Sequence, residues 1–197
     1  MTLVFASANK HKIEEINALM PNSFNVIGLE QIGLNYEIPE TAETIKGNSL
    51  LKANHVLDFL KQKKLNYTVF ADDSGLEVEA LNGAPGVYSA RFAGEPKNDT
   101  NNNIKLLKEL RQFTNRKAAF VTVISLINAS GIHVFEGKIT GTIAFEPRGN
   151  NGFGYDPVFI PQGYRSTFAE LPSETKNAIS HRAKAIKALL NFLEERH

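Results

Sequence analysis

At 197 residues, 42% of them apolar and 22% charged, the chain has the composition of an ordinary globular protein and the length to build a sizeable core in one or two lobes. Its 22 Lys and Arg against 21 Asp and Glu leave a formal net charge of +1, which excludes the strong global field that draws nucleic acid or membrane surfaces. It has no cysteine, which excludes disulfides and thiolate metal sites and agrees with a reducing compartment.

The first segment, Thr2 to Ala6, reads as a short buried strand, and its apolar run has no charged region before it of the kind a signal peptide carries. Ser7, Ala8, Asn9, Lys10, His11 and Lys12 form a polar turn into a helix whose apolar face is Ile13, Ile16, Leu19 and Met20. Free N–H groups at such a turn, with Ser, Asn and Lys side chains beside them, suit an anion. A plain helix cap by Ser7 or Asn9 with solvated lysines fits the same residues. Phe24 to Leu29 is a second expected strand.

A helix is expected from about Ile45 to Leu60, with Leu50, Ala53, Val56, Leu57 and Leu60 on its apolar face. Asn48 and Lys52 share one side of it, with the Thr44 turn. Glu40, in the loop before this helix, is either a solvated acid or a carboxylate within reach of a metal. Tyr67 to Ala71 then reads as a strand ending abruptly in an acidic turn, Asp72-Asp73-Ser74-Gly75. Two adjacent carboxylates there either form an Asx-type turn or hold a cation, since their mutual repulsion has to be compensated. Leu76 to Leu81 alternates as a further half-buried strand with Glu77 and Glu79 towards solvent, followed by an Asn82-Gly83 turn.

The stretch from Ala84 to Phe92 is rich in small residues, and its Arg91 suits either a phosphate or a nearby acid. Asp99 or Thr100 caps an expected helix running to about Gln112, with Ile104, Leu106, Leu107 and Leu110 apolar. The segments 118–128 and 133–144 read as a hairpin. The longest apolar run, Ala118 to Ile127, is too short to span a bilayer, so the expected location is cytoplasmic. Pro147 to Pro157 is a Gly- and Asn-rich loop whose two aromatics suit a planar base or simply anchor the loop. One helix is expected from Ser173 to about Glu195. Its stripe is Ile179, Ala183, Ile186, Leu189, Leu190 and Phe192, and Lys176, His181 and Arg182 bunch near its start, solvated or facing a polyanion.

In that order the chain carries Ser7-x-Asn9-x-x-Lys12, Glu40-x3-Thr44-x3-Asn48-x3-Lys52-Ala53, Ala71-Asp-Asp-Ser-Gly-Leu76, Pro85-Gly-Val-Tyr-Ser-Ala-Arg91, Phe153-Gly-Tyr-Asp-Pro157 and Lys176-Asn-x-x-Ser-His-Arg182. This ordered set resembles the inosine triphosphate pyrophosphatase family over about residues 5–184. The resemblance implies hydrolysis of ITP, dITP and XTP to the monophosphate and pyrophosphate with Mg²⁺. It implies a mixed α/β fold of two lobes around an elongated, partly antiparallel mixed sheet with flanking helices. One domain over residues 1–197 would carry the site in its cleft, and a homodimer is usual in the family.

By the same resemblance, Ser7, Ala8, Asn9, Lys10, His11 and Lys12 would bind the triphosphate. Glu40 and Asp73 would bind the metal, and Asp73 would accept the proton of the attacking water, with Asp72 in support. Ser74 would touch the substrate, and Phe153, Gly154, Tyr155 and Asp156 would frame the nucleoside with Lys176, His181 and Arg182. Ala42 and Ile45 depart from the family's Gly and Phe, so the turn carrying Glu40 is the place where the match is open. Two other readings stand beside this one. A pyrophosphatase of the related Maf type would take other nucleotides. A non-catalytic nucleotide- or RNA-binding module would bind without turnover, although no basic stripe points to nucleic acid.

Overall fold

The computed structural model describes residues 1–195. Six strands among these residues, Thr2–Phe5 (β1), Asn25–Ile27 (β2), Thr68–Val78 (β3), Lys117–Asn128 (β4), Gly131–Ile143 (β5) and Phe159–Pro161 (β6), join in the order β2-β1-β3-β4-β5-β6. β1 pairs in parallel with β2 and with β3, whereas β5 pairs antiparallel with β6. The sheet is therefore mixed, as the family resemblance implies. The α-helices are Lys10–Leu19 (α1), Ile45–Gln62 (α2), Asp99–Glu109 (α3), Ser173–Ile179 (α4) and His181–Glu194 (α5).

By contacts the chain divides into two compact units. One comprises Met1–Asp73, Thr122–Gly137 and the segment from Ala183; the other comprises Ser74–Val121 and Lys138–Arg182. The division falls within β3, β4 and β5, after Asp73, Val121 and Gly137. The first unit has a core on each face of its strands. Val4, Ala6, Val69 and Ala71 point to one face and pack with Ala53, Val56 and Leu60 of α2. Leu3, Phe5 and Phe70 point to the other and pack with Ile16 of α1 and with Ala185, Ile186 and Leu189 of α5. This is the period-two alternation of a strand buried on both sides. The second unit has its own core, in which Leu76, Val78, Leu106, Leu110, Phe120, Phe159 and Phe168 meet.

Three expectations need correcting. The acidic stretch is no turn: β3 runs unbroken from Thr68 to Val78, and a 3-10 turn over Glu79–Leu81 ends it. Gly75 is extended there, and the left-handed residues come later, at Asn82 (φ 53°) and Gly83 (φ 87°). The last helix is two, because Ser180 (φ −63°, ψ 158°) interrupts it before His181. The cap of α3 is Asn98, not Asp99 or Thr100, and Ile104 lies exposed on that helix. The short strand β6 follows the Gly-rich loop with too few residues to show periodicity.

Candidate active site

In the first unit the pleat of β3 sorts its two acids. Successive side chains of a strand point to opposite faces, so Asp72 follows Phe70 to the α1 side while Asp73 follows Val69 and Ala71 to the α2 side. Each meets a lysine from the helix it faces. Lys12 Nζ of α1 donates to Asp72 Oδ1 at 3.1 Å, and Lys52 Nζ of α2 lies 3.6 Å from Asp73 Oδ1. Repulsion between neighbouring carboxylates is thus relieved by the alternation of the backbone and by two separate cations.

The register of α2 that brings Lys52 to this place is fixed one turn earlier. Ser49 Oγ donates to the Ala71 carbonyl and is hydrogen-bonded to Ser125 Oγ, both at 3.0 Å. Lys52, three residues on, lies on the same face. Its ammonium also donates to Glu40 Oε1 at 2.6 Å. The loop that carries Glu40 is tied to α2 by the Ala42 N–H donating to Asn48 Oδ1 (2.8 Å) and by Thr44 Oγ1 accepting from the Gly47 N–H (2.9 Å). Ala42 fits because residue 47 is glycine: a Cβ there would stand 2.8 Å from that of Ala42. The departure at Ala42 therefore leaves Glu40 within the cluster.

Burial raises the Asp73 pKa above the usual carboxylate range, with Glu40 and Asp72 adding to the rise and Lys52 and Lys12 opposing it. Burial alone would lower the pKa of Lys52, but the pull of Asp73, Asp72 and Glu40 outweighs it, so the ammonium is held charged. Asp73 Oδ2 is buried with no hydrogen-bond partner among the described residues, an arrangement that costs stability unless a ligand completes it. These carboxylate oxygens fit a hard divalent cation. Among the described residues no three acidic, His or Cys side chains converge to hold a metal unaided. Glu40 and Asp73 are the residues that could hold such an ion, with water or a ligand completing its shell.

At the start of α1, Asn9 is the cap, its Oδ1 accepting from the Lys12 N–H at 3.2 Å. Ser7 Oγ accepts from the Asn9 N–H at 3.2 Å. Ala8, Asn9, Lys10 and His11 are exposed, and His11 lies 3.7 Å from Glu14. Capping and an exposed, amide-rich helix start thus coexist.

In the second unit a group of basic side chains is buried, not solvated. Arg182, His181 and Lys176 are 1%, 5% and 7% exposed. The interruption at Ser180 lets α4 bring Lys176 to this group while α5 begins with His181 and Arg182. Lys176 Nζ donates to Asp156 Oδ2 at 2.6 Å, and the same oxygen accepts from the Phe153 N–H at 2.9 Å. The Phe153 ring has the Lys176 ammonium 5.1 Å and the Arg182 guanidinium 5.9 Å from its centroid. Arg182 donates to Ser74 Oγ at 3.0 Å, and His181 stacks on Phe120 with centroids 4.7 Å apart. Tyr155 is turned inward: its hydroxyl donates to the Ser89 carbonyl at 2.8 Å, and burial raises its pKa. It anchors the loop through the core. Arg91 lies over the Tyr88 ring, 5.4 Å from its centroid.

Lys52 is the residue that the sequence pattern placed on a face without giving it a role. Its signal was a charge at an apolar-face spacing, one position before Ala53 and four before Val56, both of which are buried. A buried lysine needs a partner.

The Ham1 family model matches residues 3–192. The chain belongs to the Ham1 family. A dITP/XTP pyrophosphatase of Porphyromonas gingivalis is 54% identical over 97% of this chain and 96% of its own length. One from Flavobacterium psychrophilum is 53% identical over 98% of this chain and all of its own. Among solved structures, the Ham1 protein of Staphylococcus aureus superposes with a TM-score of 0.87 at 44% identity over the whole of both chains. That of Coxiella burnetii gives 0.88 at 39% identity over 99% of each. Fold and family therefore agree with the resemblance drawn from the motifs.

Proposed function

We propose that this Ham1-family chain hydrolyses deaminated purine nucleoside triphosphates, ITP, dITP and XTP, to the monophosphate and pyrophosphate, and so clears them from the nucleotide pool. One observation carries the chemistry. A buried acid with a raised pKa and an unpartnered oxygen, Asp73, stands among Glu40, Asp72, Lys12 and Lys52. The names of the relatives support the substrate class.

Glu40 and Asp73 would hold Mg²⁺, with Asp72 in support. Bound there, the ion supplies neutralisation of triphosphate charge and polarisation of the reacting phosphoryl group. Lys12 exchanges its contact with Asp72 for the phosphates, helped by Ser7 and the exposed helix start at residues 8–11. Asp73 accepts a proton from the attacking water as the anhydride between the α- and β-phosphates breaks and pyrophosphate leaves; its raised pKa makes it a better base. Lys52 keeps Asp73 ionised and Glu40 in place.

The base goes to Phe153, whose ring offers a stacking face, and to the buried donors Lys176, His181 and Arg182. A donor facing the 6-oxo group of inosine or xanthosine is satisfied, whereas the amino group of adenosine leaves donor against donor. That mismatch costs about 1–3 kcal/mol for each unpaired group. On the family resemblance we further infer a cytoplasmic homodimer, which sedimentation would test.

The deciding experiment is pyrophosphate release from ITP, XTP, dITP, ATP, GTP, CTP and dTTP, with Mg²⁺ and with chelator. Release from ITP, XTP and dITP that stops on chelation is the expected result, with GTP, which shares the 6-oxo group, set apart only by its 2-amino group. Preference for pyrimidines overturns the base assignment, and activity unaffected by chelator overturns the metal.

A further inference from the structure

Helix α3 opens with the polar run Asn98-Asp-Thr-Asn-Asn-Asn103, of which capping accounts for one residue: Asn98 accepts from the Asn101 N–H at 2.9 Å. Asp99 and Asn103 are four apart and so share a face, and both reach Gly154 in the base loop. Asp99 Oδ2 accepts from the Gly154 N–H at 2.7 Å. Asn103 Nδ2 donates to the Gly154 carbonyl at 2.8 Å and to the Asp99 carbonyl at 2.9 Å. With the Phe153 N–H held by Asp156 at 2.9 Å, three consecutive peptide groups are fixed. The backbone angles of both Phe153 and Gly154 are thereby determined.

The grip selects a particular state. Gly154 has φ of +62°, a left-handed conformation that glycine adopts readily; the Asp156 N–H donating to the Phe153 carbonyl at 3.2 Å closes the turn around it, and α3 holds both of its peptide groups from outside. Asn103 is itself buried, and its Oδ1 has no hydrogen-bond partner among the described residues. A buried acceptor left unpaired lowers stability, so the amide is kept there at a cost to the fold. Its neighbour Asn102 donates to the Ala90 carbonyl (3.1 Å) and accepts from the Ala93 N–H (2.7 Å), so the same turn of α3 also fixes the stretch before it.

We propose that Asp99 and Asn103 are positioning residues for the purine site, gripping Gly154 so that the Phe153 ring is held in the plane that stacks on the base. The proposal rests on the reading that the loop from Phe153 to Asp156 receives the base. Neither residue needs to touch the substrate; both act through Gly154.

The test is calorimetric binding of IMP, which reports the base side, beside binding of inorganic tripolyphosphate, which reports the phosphate side. The variants are Asn103→Ala, Asn103→Asp, Asp99→Ala and Asp99→Asn. Asn103→Asp sets an acceptor against the Gly154 carbonyl and weakens IMP about tenfold or more, beyond the effect of Asn103→Ala. Asp99→Ala weakens it severalfold, and Asp99→Asn, which keeps an acceptor, restores it. Tripolyphosphate binding stays at the wild-type level throughout. In turnover, KM for ITP rises and the preference for ITP over CTP falls.

Equal losses for both probes, or wild-type IMP affinity in a folded Asn103→Asp protein, overturn the proposal while leaving the base loop assigned. Wild-type protein that binds tripolyphosphate but not IMP overturns the base-loop reading and the proposal together. If Asn103→Asp does not fold, the Asp99→Ala and Asp99→Asn pair at an exposed position decides alone.

Discussion

Replacing Asp73 with Asn is expected to separate activity from stability in opposite directions. The two side chains are nearly isosteric, so the substitution removes charge and basicity at a site that is 5% exposed. Loss of a general base removes a factor of about 10²–10⁴ in rate, or roughly 3–5 kcal/mol of transition-state stabilisation at 1.36 kcal/mol per decade. Loss of a charged metal ligand adds to this.

Stability moves the other way. Burial, with Glu40 and Asp72 adding to it, raises the folded pKa of Asp73 above its unfolded value, against the pull of Lys52 and Lys12. The folded chain thus holds that proton more tightly than the unfolded chain does. The stability this confers is complete below the unfolded pKa of about 3.9 and is lost as pH rises through the higher folded value. At neutral pH ionised Asp73 therefore costs about 1.4 kcal/mol for every tenfold by which folding tightens its hold on the proton, and the Asn variant is spared that cost. Each kcal/mol is worth about 2–4 °C in Tm for a chain of this size.

Thermal melts from pH 4 to 8 without divalent ion should show the variant gaining on wild type as pH rises, by a few degrees at the upper end. Added Mg²⁺ should raise the Tm of wild type through mass action and leave the variant unmoved. A variant that melts below wild type at every pH, or turns over ITP within about threefold of it, would refute the account of Asp73.

Lys52 is the largest influence holding the Asp73 pKa down. Lys52→Met should therefore move the acidic limb of the kcat/KM profile to higher pH, with activity partly recovered on raising the pH; an unmoved limb means that Lys52 does not tune the base. Lys12→Ala should raise KM for ITP by removing a phosphate contact, and an unchanged KM with normal kcat makes Lys12 a bystander. Lys176→Met leaves Asp156 buried without its 2.6 Å partner, so chemical denaturation should show a loss of about 3–5 kcal/mol. The double variant with Asp156→Asn should recover part of it. Gly152→Ala combines a φ of +75° with a Cβ that would overlap the Asp156 carboxylate. ITP binding should fall sharply while tripolyphosphate binding holds, and equal loss of both counts against a base-specific loop.

Motif order was enough to read family and fold class, and it named the side chains that lie together within each unit of the candidate site. What escaped was the geometry that makes those side chains act. Asp72-Asp73-Ser74-Gly75 has the composition of a turn, and local propensity says so. The chain extends it as strand because Val69, Phe70 and Ala71 before it and Leu76 and Val78 after it are buried core residues, and tertiary packing outweighs propensity. The consequence is chemical: a turn would have placed both acids beside one cation, whereas a strand assigns each its own lysine and leaves Asp73 Oδ2 open. The interruption at Ser180 escaped for a related reason. Serine is tolerated in a helix, and the difference shows only in packing: half-buried Ile179 packs against one core, whereas Ala185 and Ile186 are buried in another. Cations that helical periodicity spreads around one solvated cylinder are instead gathered from two helices into a buried group. The proposed recognition of the base thus depends on packing that no local window of sequence contains.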